Sequence, residues 1–147
     1  QDDYLNESTL AQGDNSFFDY CGEIDEAERK FHIDNLVNNM LPKGMFELIS
    51  EDTIRYIGGA EKWQADFVAG MRSKAEAVTP DKVLEWIGPV YQLEKYMKNP
   101  LDTAYWFYME EEGLQSHAEQ SYEFMRQVCE FEPGTLLYIG GVIDYHF

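Results

Sequence analysis

Three histidines, two cysteines and twenty-eight carboxylates are the side chains of this 147-residue sequence that could carry chemistry. His32 follows Glu28 by four residues in a helical pattern, so the two share one helix face. Half of a metal site could be built this way, but paired-helix metal sites repeat a Glu-x-x-His spacing on a second helix, and no repeat occurs. An ion pair or hydrogen bond on the helix surface is the simpler reading. His117 stands among Glu110, Glu111, Glu112, Glu119 and Glu123, donors able to take a divalent cation. Ser116 and Glu119, however, have capping-box spacing, which accounts for them without a metal. His146 has no motif around it. Neither a metal nor any other cofactor is expected.

Nucleophilic catalysis finds little support. No Gly-x-Ser-x-Gly elbow occurs, and neither Cys21 nor Cys129 has a neighbouring His, Lys or Arg in sequence to lower its pKa. No catalytic residue is assigned. Two cysteines outside any Cys-x-x-Cys motif read as reduced, buried thiols. Gly58-Gly59 ahead of Lys62 could present backbone N–H groups to an anion, yet it lacks phosphate-loop spacing and fits a tight strand-to-helix turn better. Tyr105, Trp106, Phe107 and Tyr108 are the best raw material for an aromatic-lined pocket, the basis of an alternative reading as a small enzyme or ligand-binding domain.

These residues need elements to position them. Ile24, Ala27, Phe31, Ile33, Leu36, Val37, Met40 and Leu41 make a wide apolar stripe over a helix from Glu23 to Leu41, stopped by Pro42 and Gly44. Met45–Ile49 and Thr53–Ile57 read as short extended runs. Trp63, Phe67 and Met71 lie on one face of a helix from Ala60 to Val78. Thr79-Pro80-Asp81 has the form of a helix start, predicting a helix through Val83, Leu84, Trp86 and Ile87 up to Gly88-Pro89. Val90–Met97 continues as helix. Thr103–Met109 predicts a buried strand. A helix from Leu114 to Phe131 is expected to turn Leu114, Ala118, Tyr122, Met125 and Cys129 inward. Thr135–Phe147 closes the chain as a strand broken at Gly140-Gly141. The segment Thr53-Ile-Arg-Tyr-Ile-Gly-Gly59 recurs as Thr135-Leu-Leu-Tyr-Ile-Gly-Gly141, either a duplicated unit or two similar strand ends. The expected fold class is α+β: about four helices packed on a small, mainly antiparallel sheet of three or more strands containing 53–57, 104–109 and 136–143. Residues 1–22 are expected to form an acidic, partly irregular leader, and 23–147 a single globular domain. Trp63, Phe67, Trp86, Ile87, Trp106, Tyr122 and Met125 are the expected core.

Charge sets the functional expectation. The formal net charge is −17 at pH 7, which argues against direct binding to nucleic acid or an anionic membrane. No apolar stretch has the length of a membrane span. Residues 1–34 carry ten acids and two bases, 35–100 nine and eight, and 101–147 nine and one. The excess therefore sits at the two ends. If the ends meet, Asp19, Glu23, Asp25 and Glu26 would join Glu110, Glu111, Glu112, Glu119 and Glu123 in one acidic face. Such a face suits a protein that blocks a basic site on a partner protein. Immunity proteins that cap nucleases and proteins that mimic nucleic acid have this character. The enzyme or ligand-binding reading and a structural or assembly role stay open, as does oligomeric state. Cytoplasm is the expected compartment, with secretion open because the sequence starts at Gln1 without Met.

Overall fold

The computed structural model describes residues 20–111, 114–115 and 119–146. Among these, four helices and a three-stranded antiparallel sheet form a small α+β fold, as the sequence pattern implies. The chain opens on β1 (Tyr20–Glu23) and α1 (Glu26–Asn35). Asp25 caps α1, its carboxylate accepting from the Glu28 N–H at 2.9 Å, which satisfies one of the free donors of the first turn. Leu36–Met40 extends the helix as a wider turn, closed by the Leu41 N–H on the Leu36 carbonyl. β2 (Phe46–Leu48) and β3 (Thr53–Tyr56) form a hairpin, and α2 (Ala60–Glu76) follows. Then come α3 (Pro89–Lys98), the short hairpin β4 (Glu110–Glu111) and β5 (Leu114–Gln115), α4 (Ser121–Val128), β6 (Leu136–Tyr138) and β7 (Ile143–His146).

The main sheet has the order β2-β3-β6. Its central strand buries Thr53, Ile54 and Tyr56, and the core gathers on it from Leu41, Met45, Phe124, Met125 and Val128. Two glycines in the left-handed region, Gly58 and Gly59, turn the chain from β3 into α2. The Tyr56 hydroxyl accepts from the Ala60 N–H, capping α2 from within the core. Phe67 is buried along α2 and stacks on Trp63 at 5.1 Å. Gly70 lets Tyr96 of α3 close over α2, since a methyl group there would overlap the tyrosine hydroxyl.

Four expectations need correction. Residues 80–87 are successive turns, with i→i+3 bonds from Lys82 to Thr79, Glu85 to Lys82 and Gly88 to Glu85. Thr79 does not cap a helix; its hydroxyl donates to Asp81. Ile87 adopts φ 58°, which ends any helical run before Pro89. Thr103–Met109 is no sheet strand: only Phe107 forms a bridge, to Glu119, and β2 supplies the third strand instead. The last helix starts at Ser121, because Leu114 pairs with Glu111 and Glu119 with Phe107. Its inward face is Ser121, Phe124, Met125 and Val128, so Tyr122 is 38% exposed. Finally, Trp86, Ile87 and Trp106 lie on the surface rather than in the core, where Phe67 and Met125 are correctly placed. The leader expected over 1–22 lies outside the described residues except for 20–22, which belong to β1.

Candidate functional site

The first and last described strands of the chain are joined by backbone. β1 and β7 pair antiparallel, with Tyr20 opposite His146, Cys21 opposite Tyr145, Gly22 opposite Asp144 and Glu23 opposite Ile143. The pairing continues past the strand, where the Ile24 N–H donates to the Val142 carbonyl. α1 is clamped to the same stretch. The Arg29 guanidinium donates to the carbonyls of Gly140 and Ile139 at 2.9 and 2.5 Å. One of the two bases in residues 1–34 thus donates to main-chain oxygens.

Of the nine acids expected on one face, Asp25 is the α1 cap and Glu26 is exposed in the first turn. There its charge is favoured by the helix N-terminus. Glu23, Glu110 and Glu111 have backbone positions in β1 and β4. Glu119 is half-buried and exchanges two backbone hydrogen bonds with Phe107, at 2.9 and 3.0 Å. Glu123 is half-buried and pairs with Arg126 at 2.8 Å, a contact that holds the guanidinium pKa above its ordinary value. Asp19 and Glu112 lie outside the described residues, as does His117. The structure therefore ties β1 to β7 and the 107 region to residue 119.

The aromatic run splits between two sides. Tyr105 and Phe107 are half-buried, whereas Trp106 is 46% exposed. Phe107 stacks on Phe124 at 4.4 Å and so belongs to the core margin. The Tyr105 hydroxyl lies 2.7 Å from His32 Nδ1 and accepts from the Asn35 amide at 3.0 Å. His32 of α1 therefore meets the hydroxyl of Tyr105, 73 residues away, rather than pairing along its own helix. Sequence reasoning missed this pairing, because the two residues are 73 positions apart and share no motif. Two open grooves of about 460 and 420 Å³ lie elsewhere, the first along α2 from Glu61 to Arg72, the second between the end of α2 and the start of α3. Tyr108 is half-buried and engaged by contacts of its own.

Among the described residues, no group of three or more His, Cys, Asp and Glu could hold a metal ion, and no helix is long and apolar enough to cross a membrane. Gly58-Gly59 serves the turn into α2, and Lys62 beside it is paired with Asp66. No family model matches this chain, and neither does any curated or structurally solved protein with which it was compared.

Proposed function

We propose that this chain is an acidic binding protein that blocks a basic site on another protein. The observation that carries the reading is the pairing of β1 with β7. It sets the backbone of Tyr20–Glu23, in the first acidic stretch, beside that of Ile143–His146, at the end of the last, while the nearly neutral middle of the sequence supplies α2 and α3. Self-repulsion at −17 costs stability. A concentration of like charge is useful against a positive cleft, where carboxylates take the place of phosphates. Lys62, Lys98 and Arg55 of the middle segment are paired with acids of the same segment, whereas Lys95 pairs with Asp102 and Arg126 with Glu123 of the last.

A competition experiment tests the reading. The chain is titrated into complexes of labelled DNA with nucleases and DNA-binding proteins that have positive clefts. Displacement of DNA is expected at low salt, weakening steeply between about 50 and 200 mM as surface charges are screened. Failure to displace DNA from any basic partner, or displacement indifferent to salt, would remove the proposal.

A further inference from the structure

β1 and β7 form a ribbon of their own, which among the described residues pairs with no strand of the β2-β3-β6 sheet. Two stems carry it. One runs from Glu23 through Ile24 and Asp25 into α1, and the other leaves β6 through Ile139, Gly140, Gly141 and Val142. The second stem is anchored at both ends. Ile139 donates its N–H to the Asp52 carbonyl at 2.8 Å, beside the main sheet, and the Val142 carbonyl accepts from the Ile24 N–H of the first stem at 3.1 Å. Between those anchors lie the two glycines. The folded conformation does not itself call for glycine at position 140. Its φ lies outside the left-handed region, and a Cβ there would meet nothing within 4 Å. What glycine adds at such a place is freedom to take up a second conformation, and hinges use a few linker residues that absorb a change in φ and ψ. Arg29 restrains that freedom. Its Nε donates to the Gly140 carbonyl, the oxygen of the peptide that joins the two glycines, and its Nη2 to the preceding Ile139 carbonyl. Rotation of the 140–141 peptide plane would swing that oxygen off the guanidinium.

We propose that the β1–β7 ribbon is a hinged arm that turns at Gly140-Gly141 and is latched by Arg29. Arg29 is a positioning residue: it sets the direction in which the arm, with the backbone of Glu23 and Asp144, leaves the body. Arginine suits the task, since its rigid planar fork spans two adjacent carbonyls and stays charged. Charged donors make the stronger hydrogen bonds, which keep the arm closed. The bond to Gly140 is exposed, so water can replace it and the latch opens without unfolding of the core.

Pulsed dipolar spectroscopy between two spin labels is the test. Full chains carrying Cys21→Ser and Cys129→Ser are labelled at Asp144→Cys on the arm and Gln64→Cys on α2, both exposed positions. A second pair, at Glu51→Cys and Gln64→Cys, reports on the body alone. With Arg29 in place one narrow arm-to-body distance is expected, the swung arm staying below about 10% of chains. Arg29→Ala should raise that minor population severalfold and leave the body pair unchanged. Adding Gly140→Ala, for which the closed arm has room, should reverse part of the broadening, because restricting a hinge does not repair a folding defect. An arm distance already broad with Arg29 present, one that stays narrow in Arg29→Ala, or a broadening that Gly140→Ala leaves untouched each overturns the proposal. Should Arg29→Ala lose its fold, read from the body pair, Arg29→Lys decides. Lysine keeps the charge near Asp52 but lacks the fork, so a narrow arm distance in that variant counts equally against the latch. None of these outcomes depends on a basic partner, so the arm and the blocking activity are tested separately.

Discussion

Tyr56 stands opposite Thr135 in the central sheet, and in the same register Thr53 stands opposite Tyr138. The two copies of the Thr-x-x-Tyr-Ile-Gly-Gly echo are thus neighbouring antiparallel strands related by a local two-fold axis. Their surroundings break the symmetry. Tyr56 is 2% exposed, contacts Phe46 and Phe131, and caps α2 through its hydroxyl. Tyr138, on the edge strand, is 73% exposed. Tyr56→Phe is expected to cost about 1 kcal/mol through the lost cap, and Tyr56→Ala about 3–5 kcal/mol. Tyr138→Phe should leave stability within about 0.5 kcal/mol. Urea melts of the three variants check the contrast; equal losses at both tyrosines would mean that the cap does not form.

A polar node under α4 gives a second expected outcome. Ser121 is fully buried, accepts from the Leu101 N–H at 3.1 Å and donates to Asn99 Oδ1. Asn99 in turn donates to the Thr103 carbonyl at 2.7 Å. Ser121→Ala leaves a main-chain donor without its partner in a dry site, at a cost of about 1–3 kcal/mol. The loss should exceed that of Ser73→Ala, which alters an exposed residue of α2. Similar melting of the two variants would show that water replaces the hydroxyl.

The parts of the fold visible in the sequence are those whose local pattern and tertiary environment agree. Phe67 and Trp63 lie on the inward face of α2 because the helical period alone puts them there, and Thr53–Tyr56 forms the central strand, buried at all but Arg55, as its β-branched and aromatic residues prefer. Thr79-Pro80-Asp81 misled for a local reason: the threonine hydroxyl bonds the aspartate instead of a backbone N–H. Residues 103–109 misled because aromatic density favours strands only where a partner strand is within reach, and among the described residues Phe107 makes just an isolated bridge, to Glu119. The uneven charge was legible, whereas the β1–β7 pairing that joins its two halves was not, since nothing local encodes a partner more than a hundred residues away. His32 with Tyr105 was hidden for the same reason.

Contact between α2 and α3 depends on a missing side chain. A methyl group at Gly70 would strike the Tyr96 ring and hydroxyl, while Tyr96 is also packed on Phe67 at 5.4 Å. Alanine favours a helix by about 1 kcal/mol over glycine, but the overlap is expected to outweigh this and give a net loss of about 1–3 kcal/mol. Gly70→Ala combined with Tyr96→Leu should recover part of that loss in a double-mutant cycle. A Gly70→Ala chain more stable than wild type would show that Tyr96 moves aside freely.

Asp52 makes the pH dependence specific. Hydrogen bonds from the Thr53 and Ser50 hydroxyls hold its carboxyl below the ordinary value of 3.8, and Arg29 adds a smaller pull in the same direction. A lowered folded-state pKa means that the unfolded chain takes up the proton first on acidification. The contribution is therefore complete above the unfolded value near 3.8 and disappears as pH falls through the depressed folded value. Wild type should exceed Asp52→Asn in stability at pH 7, with the difference shrinking only below about pH 4. A difference that fades between pH 7 and 5 would point to another group.

Charge reversal distinguishes an acidic face from an acidic average. Glu26→Lys, Glu110→Lys and Glu111→Lys together remove three acids from the chain ends, whereas Glu51→Lys, Glu61→Lys and Glu76→Lys remove three from the middle. Each reversal changes the charge by two, so both triple variants move from −17 to −11. If net charge alone drives association with a basic partner, the two variants slow it equally. If the chain ends form the binding face, the first variant loses far more, because nearby charges steer the encounter and distant ones are screened within about 8–10 Å. The expected result is an association rate lowered by about tenfold or more for the end variant and by less than about threefold for the middle variant, with dissociation changed little in either. Single reversals should be nearly silent, since an exposed charge contributes at most about 1 kcal/mol. Stopped-flow binding to the basic protein from which the chain displaces DNA measures both rates. Equal slowing of the two triple variants would leave the charge as a general property of the surface and end the case for a face built from the chain ends.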